Sequence, residues 1–288
     1  MKVGVITNGI SENYLKVCKV MNETGVKYAE IQNAFDKPVE CFTVEDAETI
    51  RNLSDEYGIA PVIVTSHAFA GVPVGALEIG DQTYEKHMTL FKNSIEVAKI
   101  LGIKLVRTMV FTKQVVTFGY HGADKWNSGG NKAWPKFIEL YKPIVKVAEE
   151  AGIDLCIENG FNGMISSTCL AKKMIDELGG PRKIKFLWDL ANAMYYQEFP
   201  TADVYEKIKD YVAHIHIKDL FVNTVTSEVD IRHIGRGHLA PYLQDFAEML
   251  RKDNYQGVVS LENIYRPEGG DFIDGYYEDI IEIKRIFE

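Results

Sequence analysis

No apolar run in this 288-residue chain approaches the ~20 residues needed to cross a bilayer. Met1-Lys2-Val3-Gly4 leads straight into a strand-like segment, without the charged-then-apolar order of a secretory leader, and the expected location is cytoplasmic. Basic charge is in deficit: 32 Lys and Arg stand against 41 Asp and Glu, a formal net charge of −9. A phosphate backbone or an anionic lipid surface needs a cationic face, so neither nucleic acid nor membrane is an expected partner and a small molecule is. Cysteine is scarce. Cys18, Cys41, Cys156 and Cys169 form no C-x-x-C, which predicts reduced and mostly buried thiols. No low-complexity linker or charge block divides the chain, and no G-x-G-x-x-G follows the first strand-like run.

What is present is globular: 46% apolar, 25% charged and 11% aromatic residues. One punctuation recurs, a helical stretch, a Gly, then a β-branched run. It appears at Thr24-Gly25-Val26, Tyr57-Gly58-Ile59, Leu101-Gly102-Ile103 and Ala151-Gly152-Ile153. A Gly just past a helix supplies the left-handed closing position, and the run after it reads as a buried strand. Strands are expected near 2–7, 27–32, 60–66, 103–110, 153–158, 184–189, 212–218 and 257–262, each followed by a helix-length segment. Eight such units, at about 36 residues each, predict a single (β/α)₈ barrel domain over 1–288, with a doubly wound sheet as the alternative. Pro143 should kink or restart the helix expected over 133–151. The longest insertions, 67–81, 111–133 and 219–238, follow strands 3, 4 and 7, on the side where barrel chemistry sits.

Period-2 alternation in the last four strands turns Leu155, Ile157, Phe186, Trp188, Ile215, Ile217, Val259 and Leu261 outward. It turns Glu158, Asp189, His214, His216 and Glu262 inward. Three carboxylates converging without a cation would repel one another and resist ionisation, so one bound divalent ion is the simplest compensation. A mostly oxygen donor set favours Mn²⁺, Mg²⁺ or Co²⁺ and also admits Zn²⁺.

The segments Cys156-Ile157-Glu158-Asn159, Leu187-Trp188-Asp189-Leu190-Ala191-Asn192, His214-Ile215-His216-Ile217-Lys218-Asp219 and Ser260-Leu261-Glu262 resemble the metal-bearing strand ends of the xylose isomerase-like TIM barrels. That superfamily includes sugar phosphate isomerases and epimerases, ketose 3-epimerases, inosose dehydratase and endonuclease IV. The resemblance covers essentially the whole chain. It implies metal ligands Glu158, Asp189, His216 and Glu262, with His214 one layer deeper and structural. It further implies an isomerase or epimerase acting on a sugar or sugar phosphate through an enediolate, with Glu158 and Glu262 exchanging the protons. The alternative is a metal-dependent dehydratase or lyase on a keto-sugar, inosose or oxidised glycoside. A DNA-repair endonuclease and a non-catalytic sugar-binding barrel are minor readings, and homo-oligomerisation stays open.

The chain departs from two branches of the superfamily. Endonuclease IV adds a histidine on strand 4 and another at the position of Asn192, whereas strand 4 here reads Val106-Arg107-Thr108-Met109-Val110. Ketose 3-epimerases carry Gly-Glu where this chain has Lys218-Asp219, and a His in place of Asn192. Substrate contacts are expected from His67, Arg107, Trp126, Asn192, Lys218, Arg232 and Arg236. Most of these have other readings: a capping role for His67, an ion pair of Arg107 with Glu30, lid packing for Trp126, a pair of Lys218 with Asp219 or another nearby carboxylate, and solvated charge for Arg232 and Arg236. Trp134 is expected to pack the lid.

Overall fold

The helix-Gly-strand punctuation becomes a closed barrel in the computed structural model, which describes residues 1–113, 133–223, 225, 226 and 228–288. The strands are β1 (Lys2–Ile6), β2 (Tyr28–Ile31), β3 (Ala60–Thr65), β4 (Leu105–Thr108), β5 (Asp154–Glu158), β6 (Ile184–Asp189), β7 (Val212–Ile217) and β8 (Val258–Leu261). Each pairs in parallel with its neighbours in chain order, and β8 returns to β1 with Lys2 opposite Val258. The longer helices are α1 (Tyr14–Thr24), α2 (Val44–Tyr57), α3 (Gln82–Leu101), α4 (Ala133–Ala151), α5 (Thr168–Glu177), α6 (Ala202–Ile208), α7 (Leu243–Lys252) and α8 (Phe272–Phe287), and a five-residue helix, Leu190–Met194, follows β6 directly.

Side-chain caps start these helices: Asn13 on α1, Thr43 with Asp46 in a reciprocal box on α2, Asp81 on α3 and Asp271 with Asp274 on α8. Gly25, Gly58 and Gly102 end α1, α2 and α3 in the left-handed region, where a side chain would strain the turn into the next strand. α4 runs on through Pro143 without restarting. The carbonyl that Pro143 leaves without a donor belongs to Glu139, which is exposed and can turn to water.

The alternation sorts the strands into two packing zones. Outward residues such as Phe186, Trp188, Ile215 and Leu261 are fully buried against the helices, and the Trp188 ring meets Phe246 of α7 edge-on at 5.4 Å between centroids. Inside the barrel, Ile63, Cys156 and Leu187 form a small separate apolar cluster. Cys156 and Leu187 lie two residues before Glu158 and Asp189, so this cluster is the layer beneath the strand ends. The four thiols are free, as expected, but only Cys18 and Cys156 are buried. Cys41, at the end of a one-turn 3₁₀ segment, and Cys169, in the first turn of α5, are exposed, which corrects the expectation of mostly buried thiols. The 219–238 insertion folds back as an antiparallel hairpin, Asp219–Asn223 against Glu228–Arg232. Among the described residues, no helix is long and apolar enough to cross a membrane.

Candidate active site

Four consecutive strands place one side chain each at the C-terminal mouth. Glu158 and Asp189 close β5 and β6, His216 lies opposite Asp189 in the register, and Glu262 follows β8 with its N–H donated to Ile217 O at 2.9 Å. One ligand atom from each of Glu158, Asp189, His216 and Glu262 lies within 4.8 Å of all the others. A divalent ion with ~2.1 Å bonds holds its ligand atoms no more than about 4.2 Å apart, so these four need to draw in only slightly. Three carboxylates and an imidazole suit a hard or borderline divalent cation.

The electrostatics show what the cluster demands. Lys218, two residues past His216, donates to Asp189 Oδ2 and, at 2.6 Å, to Glu262 Oε2. An ammonium thus balances two of the carboxylates. Burial pushes the Asp189 carboxyl up against the pull of Lys218, and the charges of Glu262 and Glu158 add to the rise. Burial also works against ionisation of Glu158, but Arg107, with Nε 3.4 Å from Glu158 Oε2, and His216 outweigh it and hold that carboxyl low. Glu262 is likewise held low against burial, by Lys218 and then His216. Lys218, Arg107 and His216 thus keep two of the three carboxylates ionised, which corrects the expectation that all three would resist ionisation; Asp189 alone is pushed up, and a cation beside it would favour its charged form.

Beneath it, His216 Nε2 sits 2.9 and 3.0 Å from the two oxygens of Glu30, and His214 Nε2 lies 2.9 Å from Glu30 Oε2 and 2.9 Å from Ser260 Oγ. Glu30 therefore pairs with the two histidines and not with Arg107, which instead sits beside Glu158 and donates to Ser66 O. Glu30, His214 and His216 also form a three-residue group of metal-ligand type. They are hydrogen-bonded to one another, so protons already satisfy them. His214 is buried one layer below the cluster and contacts Glu30 and Ser260.

A cavity of about 290 Å³ opens above the cluster. Its lining includes His67, Arg107, Glu158, Asn192, His216, Lys218 and Glu262. Asp189 is fully buried behind them. Burial, with Arg107 behind it, lowers His67 to about 4, so a neutral imidazole faces the cavity. Asn192 reaches the lining but donates its side-chain amide to Asn159 O at 2.9 Å. Asn159 exchanges two hydrogen bonds with the Asp189 backbone, at 2.8 and 2.9 Å, and so locks the ends of β5 and β6 together. The Asn that follows each site Glu was the available signal: Asn263, after Glu262, bonds Gly9 O and Phe272 O, both at 2.6 Å. Phe161 and Tyr195, with ring centroids 5.2 Å apart, line the mouth and were not foreseen.

Other expectations separate here. Lys218 pairs with Asp189 and Glu262, not with Asp219. Asp219 accepts backbone N–H bonds from Leu220, Gly235, Gly237 and Leu239, which wraps the 235–239 turn around its carboxylate. A Cβ on Gly237 would run into Asp219 Oδ1, so that position takes only glycine. Arg232 and Arg236 are exposed and do not line the cavity. The hairpin carries Arg232 outward, where it pairs with Asp230. Trp134 packs on Phe137 and donates to Glu177 at 3.0 Å. Trp126 lies outside the described residues.

Residues 18–282 match the sequence profile described as xylose isomerase-like TIM barrel. No curated protein matches the chain. Similar solved structures include a 3-keto-D-glucoside 4-epimerase from E. coli in its apo form, 19% identical with TM-score 0.72, covering 99% of this chain and 99% of that one. D-psicose 3-epimerase from Clostridium cellulolyticum H10 is 15% identical with TM-score 0.73, and both chains are covered completely, at 100%. The probable 3-DHS dehydratase from Bacillus anthracis is 11% identical with TM-score 0.74, covering 99% of each chain.

Proposed function

The chain belongs to the xylose isomerase-like TIM barrels, and on that premise we propose that it is a divalent-metal-dependent isomerase or epimerase of a small sugar or sugar phosphate, working through an enediolate. The observation that carries this reading is the gathering of Glu158, Asp189, His216 and Glu262 within 4.8 Å below a cavity that two of the carboxylates face. An ion held by these four, of which Mn²⁺, Mg²⁺ and Co²⁺ fit the donor set best and Zn²⁺ is admitted, supplies Lewis acidity toward the carbonyl and hydroxyl oxygens of an open-chain sugar.

The protein's own groups divide the remaining work. Asp189, with no exposed surface, serves only as an anchor. Glu158 and Glu262 reach the cavity and are held ionised, which equips them to take a carbon-bound proton and return it. A divalent ion, Lys218 and Arg107 together carry four positive charges against the four carboxylates Glu158, Asp189, Glu262 and Glu30, so the site is balanced overall while its cations face the cavity, where an oxyanion would form. Neutral His67 can donate to or accept from a sugar hydroxyl. Phe161 and Tyr195 offer ring surface to a sugar's C–H face.

One observation favours a second reading, elimination by a dehydratase or lyase. Asn192, where the ketose 3-epimerases carry a histidine, spends its side-chain amide on Asn159 O. The same base beside a carbonyl expels a leaving group when the substrate offers one on the next carbon. Product analysis separates the two, because isomerisation conserves the formula and elimination does not.

The test strips the protein of metal, refills it from a panel of Mn²⁺, Mg²⁺, Co²⁺ and Zn²⁺, and counts ions. About one ion per chain is expected in the wild type, with much weaker retention in Glu262→Gln. With a sugar panel in ²H₂O, deuterium should enter substrate carbon in the wild type and not in Glu158→Gln. A chain that neither keeps nor regains an ion would overturn the proposal.

A further inference from the structure

From the proton network beneath the cluster we infer that Glu30 is the positioning residue of the metal site: it grips His216 by Nε2 and thereby holds Nδ1 toward the carboxylates. This inference rests on the metal reading proposed above.

The geometry is specific. Glu30 has no exposed surface, and its two oxygens take four contacts, from Thr65 Oγ1, His214 Nε2 and twice His216 Nε2. The other nitrogen of His216, Nδ1, lies 3.2 Å from Glu158 Oε1 and 3.6 Å from Glu262 Oε2. An imidazole whose Nε2–H is donated to a carboxylate keeps the Nδ1 lone pair for a metal, with the ring's rotation fixed. A carboxylate is required at this position because every group facing it is a donor. A glutamine would turn its own N–H₂ toward one of them.

The rest of the barrel is arranged to let Glu30 reach. β2 and β7 are not neighbours, since β1 and β8 stand between them. At the intervening inward positions the chain carries Gly4 and Ser260, which face each other in the register. A Cβ on Gly4 would come within 2.9 Å of Tyr28 O and 3.1 Å of Ser260 Oγ. With no large side chain at either position, Glu30 reaches His214 and His216 across the two intervening strands. Ser260 Oγ then bonds His214 and leaves His216 to Glu30.

Isothermal titration of the metal-free full-length chain with Mn²⁺, and the visible spectrum of the Co²⁺ form, test this. Glu30→Gln is expected to weaken Mn²⁺ binding 10- to 100-fold and to shift the Co²⁺ bands, because ring orientation and ligand basicity both change. Ser260→Ala, which touches His214 alone, should leave affinity within about twofold of wild type. If Glu30→Gln does not fold, Thr65→Val, which releases one Glu30 oxygen, should still cost about threefold or more. A Glu30→Gln protein that melts earlier yet binds Mn²⁺ within twofold of wild type, with unchanged Co²⁺ bands, overturns the inference and leaves Glu30 a structural residue. Wild-type protein that takes up no ion sinks both this and the proposed function, whereas wild-type uptake with unchanged variant affinity sinks this alone.

Discussion

Replacing Lys218 by methionine should strengthen metal binding while abolishing turnover. In the metal-free protein the Lys218 ammonium contacts Asp189 and lies 2.6 Å from Glu262 Oε2, with its side chain only 8% exposed. It therefore occupies the cationic role that the three carboxylates require. Removing one partner of a buried ion pair costs about 3–5 kcal/mol, because the other charge is left uncompensated. The Lys218→Met protein without metal should be destabilised by an amount of that order. A divalent ion restores the compensation, so by linkage the lost stability reappears as affinity. Asp189, already pushed up by burial and its acidic neighbours, absorbs part of the loss by taking a proton, which reduces the expected gain to about 10- to 100-fold. The assay pairs thermal melts of the metal-free proteins with Mn²⁺ titrations at a mildly alkaline pH, where that proton is least available. Equal melting temperatures together with equal or weaker Mn²⁺ binding in the variant would refute the reasoning, and would mean that Lys218 holds the carboxylates together without competing for their charge. Turnover should be lost in either case, since the cavity loses one of the positive charges that favour an oxyanion as it forms.

Asp219→Ala should destabilise the fold by at least about 3 kcal/mol, since it orphans four backbone N–H groups that bond a charged acceptor; a chemical denaturation midpoint within error of wild type would contradict this. His87 accepts the Phe69 N–H at 2.9 Å through Nδ1, and burial, with Lys86 behind it, lowers its pKa from 6.5. The unfolded chain therefore takes up a proton that the folded one refuses, and stability falls as pH drops below about 6.5, levelling only beneath the folded value. His87→Gln should show a shallower decline in melting temperature between about pH 7 and pH 5 than the wild type; identical slopes would remove His87 from the account.

The order of helices, glycines and β-branched runs determined the barrel, because each βα unit is a local matter of capping, turn chemistry and period. Gly25, Gly58, Gly102 and Gly152 sit at positive φ where the punctuation required them. Alternation likewise determined that Glu158, Asp189, His216 and Glu262 share one end, since a strand's pleat leaves an inward residue no other choice. What alternation could not determine was which inward groups meet across the barrel. Glu30 lies 184 and 186 residues from the histidines it holds, and only closure of β8 onto β1 brings them together. The partners of Lys218 and Arg107 were undecidable for the same reason: each faces several carboxylates in sequence, and the winner is set by the radius and register of the closed barrel. The surface arginines, Arg232 and Arg236, were carried away from the cavity by a hairpin whose outward turn depends on Asp219 folding the segment behind it. Local periodicity fixes which way a side chain points, and tertiary closure decides what it finds there.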